Sequence, residues 1–409
     1  MQKNFSALTL IFLTVFIDLL GFGLLIPVLP SFGVNVLRID ELSIGIAISI
    51  YSFIQFLFNP IFGKISDKKG RKPVILFCLF LNALGYLIFA FTDNYLMLLV
   101  SRIIAGIGGS SISVAQAYIA DITTPENRSK GMGLIGSAFG LGFVFGPLLG
   151  GILAEYGYEI VGYVSAGFSF AALALTSFML PESLKISNAA NNITSEKRKI
   201  RLLNIQSFKY VFSKPDLGLL ISLFFILTFS FANIYGTFAL LGIQVYGFSD
   251  KQNGYMFGIT GIVSALVQGV LIGKISKYFT RKKIIIIGSL LVSLNLALIP
   301  YAVNFLGLAI VSVFLSIGTG ALQPTVLSLI SEVTSESEQG LILGINQSMS
   351  AFARMLGPLW GGFAFEYLGY PFPFLTGAFF TAIMFLIAIF YLPKKIILEI
   401  TQGSNATKT

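Results

Sequence analysis

Twelve apolar runs divide this chain, and they constrain its fold more than any other feature. Each is about 20 residues long, enough to cross a ~30 Å hydrocarbon core as an α-helix. Because a backbone in lipid must satisfy its own hydrogen bonds, and no alternating strand pattern is present, the runs are predicted to be helices. Numbered as spans 1 to 12, they cover residues 7–30, 43–62, 73–91, 95–120, 131–154, 161–180, 217–240, 254–275, 284–303, 306–330, 340–364 and 374–392.

Composition supports the same class of protein. The chain has 409 residues, of which 55% are hydrophobic and 11% are charged, whereas soluble domains carry about 25% charged residues. A soluble globular domain is therefore excluded, and an all-α integral membrane protein is predicted. The first run contains Asp18 and lacks a small-residue cleavage site, so it is expected to remain as span 1 and not to be a signal peptide.

The positive charge has an uneven distribution. The net charge is +9, and residues 181–215 are rich in Lys and Arg, whereas the opposite side of the predicted topology shows only Arg38 and Lys251. This bias predicts a multi-pass protein of the cell membrane with both termini cytoplasmic. It argues against nucleic acid as a partner, and attraction to the headgroups of membrane lipids is the expected side effect.

Several classes of chemistry are excluded by residue usage. Cys78 is the single cysteine and histidine is absent, so we expect no internal disulfide, no metal site and no cofactor. A membrane enzyme would need clustered nucleophiles, bases or metal ligands, which the sequence lacks. No phosphate-binding loop for ATP is present either. Any proton chemistry must fall to a carboxylate.

Two motifs occur once in each half of the chain. Gly63–Lys72, with five cations and one acid, separates spans 2 and 3, and Gly273–Lys282 separates spans 8 and 9. Gly146–Gly151 in span 5 returns as Gly357–Gly362 in span 11. The order and spacing predict two parallel six-helix repeats. The predicted domains are an N-terminal bundle at 1–180, a cytoplasmic linker at 181–215, a C-terminal bundle at 216–393 and a disordered cytoplasmic tail at 394–409. Near Leu202–Phe212 the linker is either an amphipathic helix on the membrane surface or a plain tether.

These motifs resemble those of the major facilitator superfamily. Gly63–Lys72 resembles its signature between the second and third helices, and Leu99–Gly109, with Arg102, resembles its fourth-helix signature. Asp18–Gly23 and Tyr118–Thr123 resemble the twelve-helix tetracycline-exporter branch of the drug:proton antiporters. The antiporter signature of span 5 is carried by Gly142, Gly146, Pro147, Gly150 and Gly151.

The resemblance implies the major facilitator fold and alternating access. It further implies a monomeric antiporter that exports small amphipathic compounds and is driven by the proton gradient, with no other cofactor. This chain lacks the acids that the tetracycline exporters carry in spans 3 and 9, and Gly85 occupies the span 3 position. It also lacks their histidine, which argues against tetracycline itself as the substrate. A proton-coupled importer or facilitator of a small metabolite remains the alternative.

Asp18 is predicted to carry the proton, because it is the one acid placed near mid-membrane. It lies ~16 Å from the cytoplasmic end of span 1. Burying an ionised carboxylate costs several kcal/mol, and protonation removes that cost. Arg102 lies at a similar depth and is predicted to pair with it. The alternatives are a neutral Asp18 bonded to a neighbouring helix and an Arg102 satisfied by backbone carbonyls.

A cavity that mixes aromatic and neutral polar side chains would suit amphipathic substrates. In span 11, Asn346, Ser350 and Arg354 form a polar stripe predicted to face this cavity or the other half. Arg354 could bind an anionic substrate group, pair with Asp18 or make a structural contact. The other predicted lining residues are Tyr51, Gln116, Phe229, Asn233, Tyr235, Tyr255, Gln268 and Gln323.

The resemblance also implies a conformational latch on the cytoplasmic side. In the family, the loop arginine pairs with the acid after span 4, and the loop acid lies near the start of span 11. The matching residues are Gly63, Asp67, Gly70, Arg71 and Asp121. In the second copy Lys277 and Thr280 replace the acid and the second glycine, so only the first copy is expected to hold a full latch.

Overall fold

The computed structural model describes residues 2–123, 125–183, 205–334 and 338–392, and throughout these residues the regular structure is helical. The predicted disordered tail and most of the predicted linker lie outside them. The helices are α1 (Gln2–Phe32), α2 (Glu41–Lys69), α3 (Arg71–Ala90), α4 (Tyr95–Gly108), α5 (Ser111–Ile122), α6 (Pro125–Ala154), α7 (Tyr158–Met179), α8 (Ile205–Phe212), α9 (Pro215–Gln244), α10 (Asp250–Leu266), α11 (Ile272–Tyr278), α12 (Arg281–Leu298), α13 (Phe305–Glu332), α14 (Gln339–Tyr367) and α15 (Phe372–Phe390).

The helices follow the predicted spans. Eleven helical segments of the described chain are long and apolar enough to cross a membrane. Span 11, now α14, is 29 residues long but is not among them, because Asn346, Gln347 and Arg354 lower its mean hydropathy. Span 4 is built from α4 and α5, and span 8 from α10 and α11 with a π-helical turn at Val267–Leu271. The predicted all-α membrane fold is confirmed.

The chain divides into two compact units. The first unit contains α1, most of α2, α3 to α7 and the first turn of α10, Asp250–Gly254. The second contains the start of α2, Asp40–Ile46, together with α8, α9, the rest of α10 and α11 to α15. The compact units are therefore not simple sequence halves, because two helices begin in one unit and continue in the other.

Close packing of α1 against α6 in the first unit depends on glycine. A β-carbon on Gly150 would overlap the carbonyl oxygen of Leu24, and one on Gly146 would lie 2.6 Å from the Cα of Gly23. Small residues let membrane helices approach backbone to backbone, where van der Waals contact replaces the hydrophobic effect. By contrast, no atom lies within 4 Å of the β-carbon position of Gly140 on the same helix.

The start of α3 is fixed by a residue far along the chain. Gly70 precedes the helix with φ of 99°, a backbone conformation that glycine adopts without strain. The amides of Arg71 and Lys72 then donate to Glu182 Oε1 and Oε2, at 2.9 and 3.1 Å. Glu182 follows α7, so its carboxylate caps α3 and ties these two helix ends together.

The related helix α12 begins differently. Its amide cap is local, with Thr280 Oγ1 accepting from the backbone N of Lys283 at 3.4 Å. The ammonium of Lys282 donates to the carbonyls of Ile389 and Leu392 at 3.0 and 3.3 Å, as that of Lys72 does to Ser177 at 2.8 Å. The repeat thus keeps its lysine contact and changes its cap.

The described end of the predicted linker is helical. α8 packs in the second unit, where Phe212 lies against Gly218. Lys214, just after it, pairs with Glu338 at 2.9 Å at the start of α14. These contacts favour the helix over the plain tether for residues 205–212.

The Gly150→Ala variant is expected to lower stability. The added methyl group would overlap the Leu24 carbonyl, and overpacking of this kind costs about 1–3 kcal/mol. Thermal unfolding of the purified protein in detergent would show a melting temperature lower by several degrees. Gly140→Ala is the matched control on the same helix, and an equal loss there would contradict the packing argument.

Removing the long-range cap should loosen the first turn of α3. Glu182→Ala leaves two amides without an acceptor, and a lost N-cap costs about 0.5–2 kcal/mol. Hydrogen exchange should therefore speed up at Arg71 and Lys72. Ser183→Ala is the control, because Ser183 donates to Asp121 and not to these amides. Unchanged exchange in Glu182→Ala would rule out the cap.

Candidate functional site

Asp18 is the centre of a buried polar cluster in the first unit. Only 5% of the residue is exposed. Asn82 Nδ2 on α3 donates to both carboxylate oxygens at 2.9 and 3.0 Å, Ser111 Oγ on α5 to Oδ2 at 3.2 Å, and Ser169 Oγ on α7 to Oδ1 at 3.1 Å. No Lys or Arg of the described residues forms an ion pair with Asp18. Its charge is therefore met by neutral donors alone.

Glycine contacts bring these donors within reach. A β-carbon on Gly21 would lie 3.0 Å from the carbonyl oxygen of Ser165, one turn from Ser169, so α1 and α7 approach closely beside Asp18. A β-carbon on Gly108 would lie 2.6 Å from the backbone N of Asn82. The end of α4 at Gly108 therefore packs directly against α3. This contact brings Ser111, at the start of α5, within hydrogen-bonding distance of Asp18.

Arg102 does not form the predicted pair with Asp18. The side chain is buried, and its Cζ lies 5.9 and 5.4 Å from the ring centroids of Tyr86 and Phe89. Its Nε donates to Ser101 Oγ at 3.2 Å. Aromatic faces attract a guanidinium through their quadrupole, so α3 holds this cation without a carboxylate. This contact differs from both readings considered for Arg102, the acid pair and the backbone-carbonyl contact.

The arginine of the predicted latch meets its acid. Arg71 Nε lies 2.9 Å from Asp121 Oδ2, and Nη1 lies 2.6 Å from Asp67 Oδ1. The same nitrogen donates to Ser66 Oγ at 2.7 Å and to the Gly63 carbonyl at 3.5 Å. One buried guanidinium therefore joins the end of α2 to the end of α5.

The second copy keeps a reduced version of this arrangement. Arg281 pairs with Glu332, the counterpart of Asp121. Lys277 stands where the first copy has Asp67, so the second copy has no acid for the i,i+4 pair.

Asn233 and Asn346, both predicted to line the cavity, are buried in the structure. Asn233 is fully buried and its Nδ2 donates to the carbonyl of Pro373, so it ties α9 to α15. Asn346 and Ser350 are 3% and 2% exposed, and Ser350 Oγ donates to the Asn346 carbonyl at 2.8 Å. Both side chains are therefore buried, as expected for polar groups of membrane helices, which avoid lipid.

The remaining lining candidates differ in exposure. Phe229 packs with Phe225 and Phe380 beside a purely apolar cavity, which does not match the mixed surface expected. Tyr51 is buried and stacks on Phe22, with ring centroids 4.9 Å apart. Gln116, Tyr235 and Arg354 are half-buried, and Arg354 interacts electrostatically with Tyr235. Tyr255, Gln268 and Gln323 are exposed.

Sequence reasoning missed the residues that bind Asp18. Asn82, Ser111 and Ser169 are ordinary polar residues, but each interrupts an apolar span, and a polar side chain inside a membrane span signals a partner. Glu182 was missed because it lies outside the spans. The described residues contain no group of three or more Cys, Asp or Glu side chains placed to hold a metal ion.

Comparison with known proteins places the chain in a family. The profile of the Major Facilitator Superfamily matches residues 11–279 and 269–404. The tetracycline resistance protein, class C, of Escherichia coli is 30% identical over 88% of this chain and 89% of its own length. Multidrug resistance protein 2 of Bacillus subtilis (strain 168) is 28% identical over 93% of this chain and 94% of its own.

Solved structures agree on the fold. The human organic anion transporter MFSD10 (TETRAN) aligns with a TM-score of 0.71 at 26% identity, covering 94% of this chain and 99% of its own. A point mutant of the nucleoside transporter NupG aligns with a TM-score of 0.75 at 15% identity, covering 95% and 100%. Taken with the helical architecture, these matches identify the chain as a member of the Major Facilitator Superfamily, a multi-pass membrane transporter and not an enzyme.

Proposed function

We propose that this transporter is a proton-driven antiporter that exports small amphipathic compounds across the cell membrane by alternating access. The observation that carries the proposal is the Asp18 cluster, a buried acid in α1 bound by neutral donors from three other helices. In this proposal the protein is a monomer in contact with membrane lipids, and both of its termini are cytoplasmic. The proton gradient drives transport.

The cluster has the chemistry that a proton carrier needs. A carboxylate that is paired with a fixed cation stays ionised, because the cation favours the charged form. Asp18 has no such partner among the described residues, so its protonation state depends on the number of donors and on access to water. A conformational change that opens the cluster to one side of the membrane and then to the other would therefore load and release a proton.

The names of the relatives support a drug-like substrate. Proteins named for tetracycline and multidrug resistance match across most of this chain. Gly85 packs against Ala105 where tetracycline exporters carry an acid, which argues for a different compound. Substrate contacts are proposed for Tyr51, Gln116, Tyr235, Tyr255, Gln268, Gln323 and Arg354.

The latch residues have a conformational role in this proposal. The Arg71 pairs with Asp67 and Asp121 join three helix ends, and charge-assisted pairs of this kind hold one arrangement until it is replaced by another. Only the first copy of the motif has an acid, Asp67, for the i,i+4 pair with its arginine. The first repeat therefore contributes more to conformational control than the second in this proposal.

The Asp18→Asn variant should lose proton-driven export. The amide cannot carry a proton between the two sides, although it can still accept and donate hydrogen bonds in the cluster. Everted membrane vesicles energised with a proton gradient would show no gradient-driven accumulation of a transported compound. Energy-independent counterflow of the same compound should persist, because binding and alternation do not need the carboxylate.

Asp93→Asn is the control, since Asp93 lies in the loop after α3 and bonds its neighbour Asn94. The compound would come from a resistance screen that includes cationic, neutral and anionic amphipathic molecules. Undiminished coupling in Asp18→Asn would exclude Asp18 as the proton carrier. Gradient-driven movement in the opposite direction would favour the importer.

A further inference from the structure

The amide of Asn82 has one end that is used and one that is not. Its Nδ2 donates to both oxygens of Asp18, at 2.9 and 3.0 Å. Its Oδ1 is buried and has no hydrogen-bond partner among the described residues. A buried carbonyl without a donor is costly, so this orientation favours Asp18 at the expense of Asn82.

A second acceptor lies beside the unused oxygen. A β-carbon built on Gly108 of α4 would be close to Asn82 Oδ1 and would lie 2.7 Å from the carbonyl oxygen of Cys78. The two oxygens therefore lie next to the same position on α4. Cys78 is four residues before Asn82 on α3. In the repeat-related helix α12, Asn295 Nδ2 donates to the Leu291 carbonyl, also four residues earlier, at 2.8 Å. An Asn82 amide turned by half a rotation could make the same bond.

Few titratable groups face this cluster. On α3 they are Cys78 and Tyr86, one turn on either side of Asn82, and Tyr51 on α2 interacts with Tyr86. Arg102 on α4 is held over the Tyr86 ring. From α5 and α7 the hydroxyls of Ser111 and Ser169 reach Asp18, and the described side chains of α6 include no titratable group. Among the described residues, the side chains that hydrogen-bond Asp18 in this cluster are therefore two hydroxyls and one amide, that of Asn82.

We propose that Asn82 is a positioning residue that binds Asp18 in both protonation states by rotating its amide. This rests on the proposed role of Asp18. With Asp18 ionised, Nδ2 donates to both carboxylate oxygens, through the two contacts present in the structure. When a proton from water forms the O–H bond on Asp18, the amide turns, Oδ1 accepts that O–H and Nδ2 donates to the Cys78 carbonyl. On release, the proton returns to water on the other side, and Asn82 itself neither gains nor loses one.

The rotation makes the cluster suited to repeated loading. In both states Asp18 keeps a hydrogen bond to the Asn82 amide, although Asn82 Oδ1 is unpaired when Asp18 is ionised and gains a donor when Asp18 is protonated. An apolar residue at position 82 would remove two bonds from the ionised form and one from the protonated form. Bonds to the charged form are the stronger, so protonation of Asp18 should then begin at higher pH.

Infrared difference spectroscopy against pH, on the full-length protein in liposomes, tests this without knowledge of the substrate. In the unmodified protein we expect a carboxylic-acid C=O band that grows as pH falls and is absent in Asp18→Asn. In Asn82→Leu its midpoint should rise by about one pH unit or more, because each lost bond to a charge is worth at least about one unit. Asn295→Leu is the matched control and should leave the midpoint unchanged, since within the described part of the chain the Asn295 amide donates to its own helix.

Asn82→Ser provides a second variant should the leucine variant fail to fold. Its single hydroxyl can donate or accept, and a smaller rise in the midpoint is expected. If the Asp18 band is present and neither Asn82 variant moves its midpoint, the role of Asn82 is overturned while the proton-carrier proposal stands. If the unmodified protein has no band that Asp18→Asn removes, the proton-carrier proposal itself fails.

Discussion

Backbone-to-backbone contact at glycine is the constraint on which the first unit depends. Helices in lipid gain little by hiding apolar side chains from one another, so close approach and polar contacts must hold them together. At Gly150 and Gly146 the contact joins α6 to α1, and at Gly21 it joins α1 to α7. These approaches place Asp18 where short side chains such as Ser169 can reach it. The polar site is therefore a consequence of the packing.

The buried charges of the first unit are handled in three ways. Arg71 is paired with two acids at a helix end. Arg102 lies over aromatic rings, and Asp18 is bound by amide and hydroxyl donors. Opposite charges held together are costly to separate, whereas a carboxylate bound by neutral groups can change its charge in place. In the proposed mechanism, this separation leaves conformational control to the helix ends and proton chemistry to the interior.

Spans, repeats and family were predictable because they depend on local composition and order. Twenty apolar residues must form a helix in lipid whatever their neighbours are, and the Gly63–Lys72 motif has a recognisable spacing. The predicted stripe of Asn346 and Ser350 shows where this reasoning stops. Helical spacing correctly placed both on one face, but whether that face meets a cavity or another helix is decided by packing. The predicted pairing of Arg102 with Asp18 was wrong for a related reason. The depth of a residue in the membrane does not tell in which direction around the helix its side chain points.

By itself, the sequence determined an all-helical membrane protein of two repeated halves, with Asp18 as its deep acid and Arg71 near Asp121. Only the tertiary structure decided which groups bind that acid, since Asn82, Ser111 and Ser169 come from three helices far apart in the chain. It also assigned the α3 cap to Glu182 and buried Asn233 between helices. The physical reason is that hydrogen bonds act over about 3 Å, and such distances are set by helix packing and not by position along the chain.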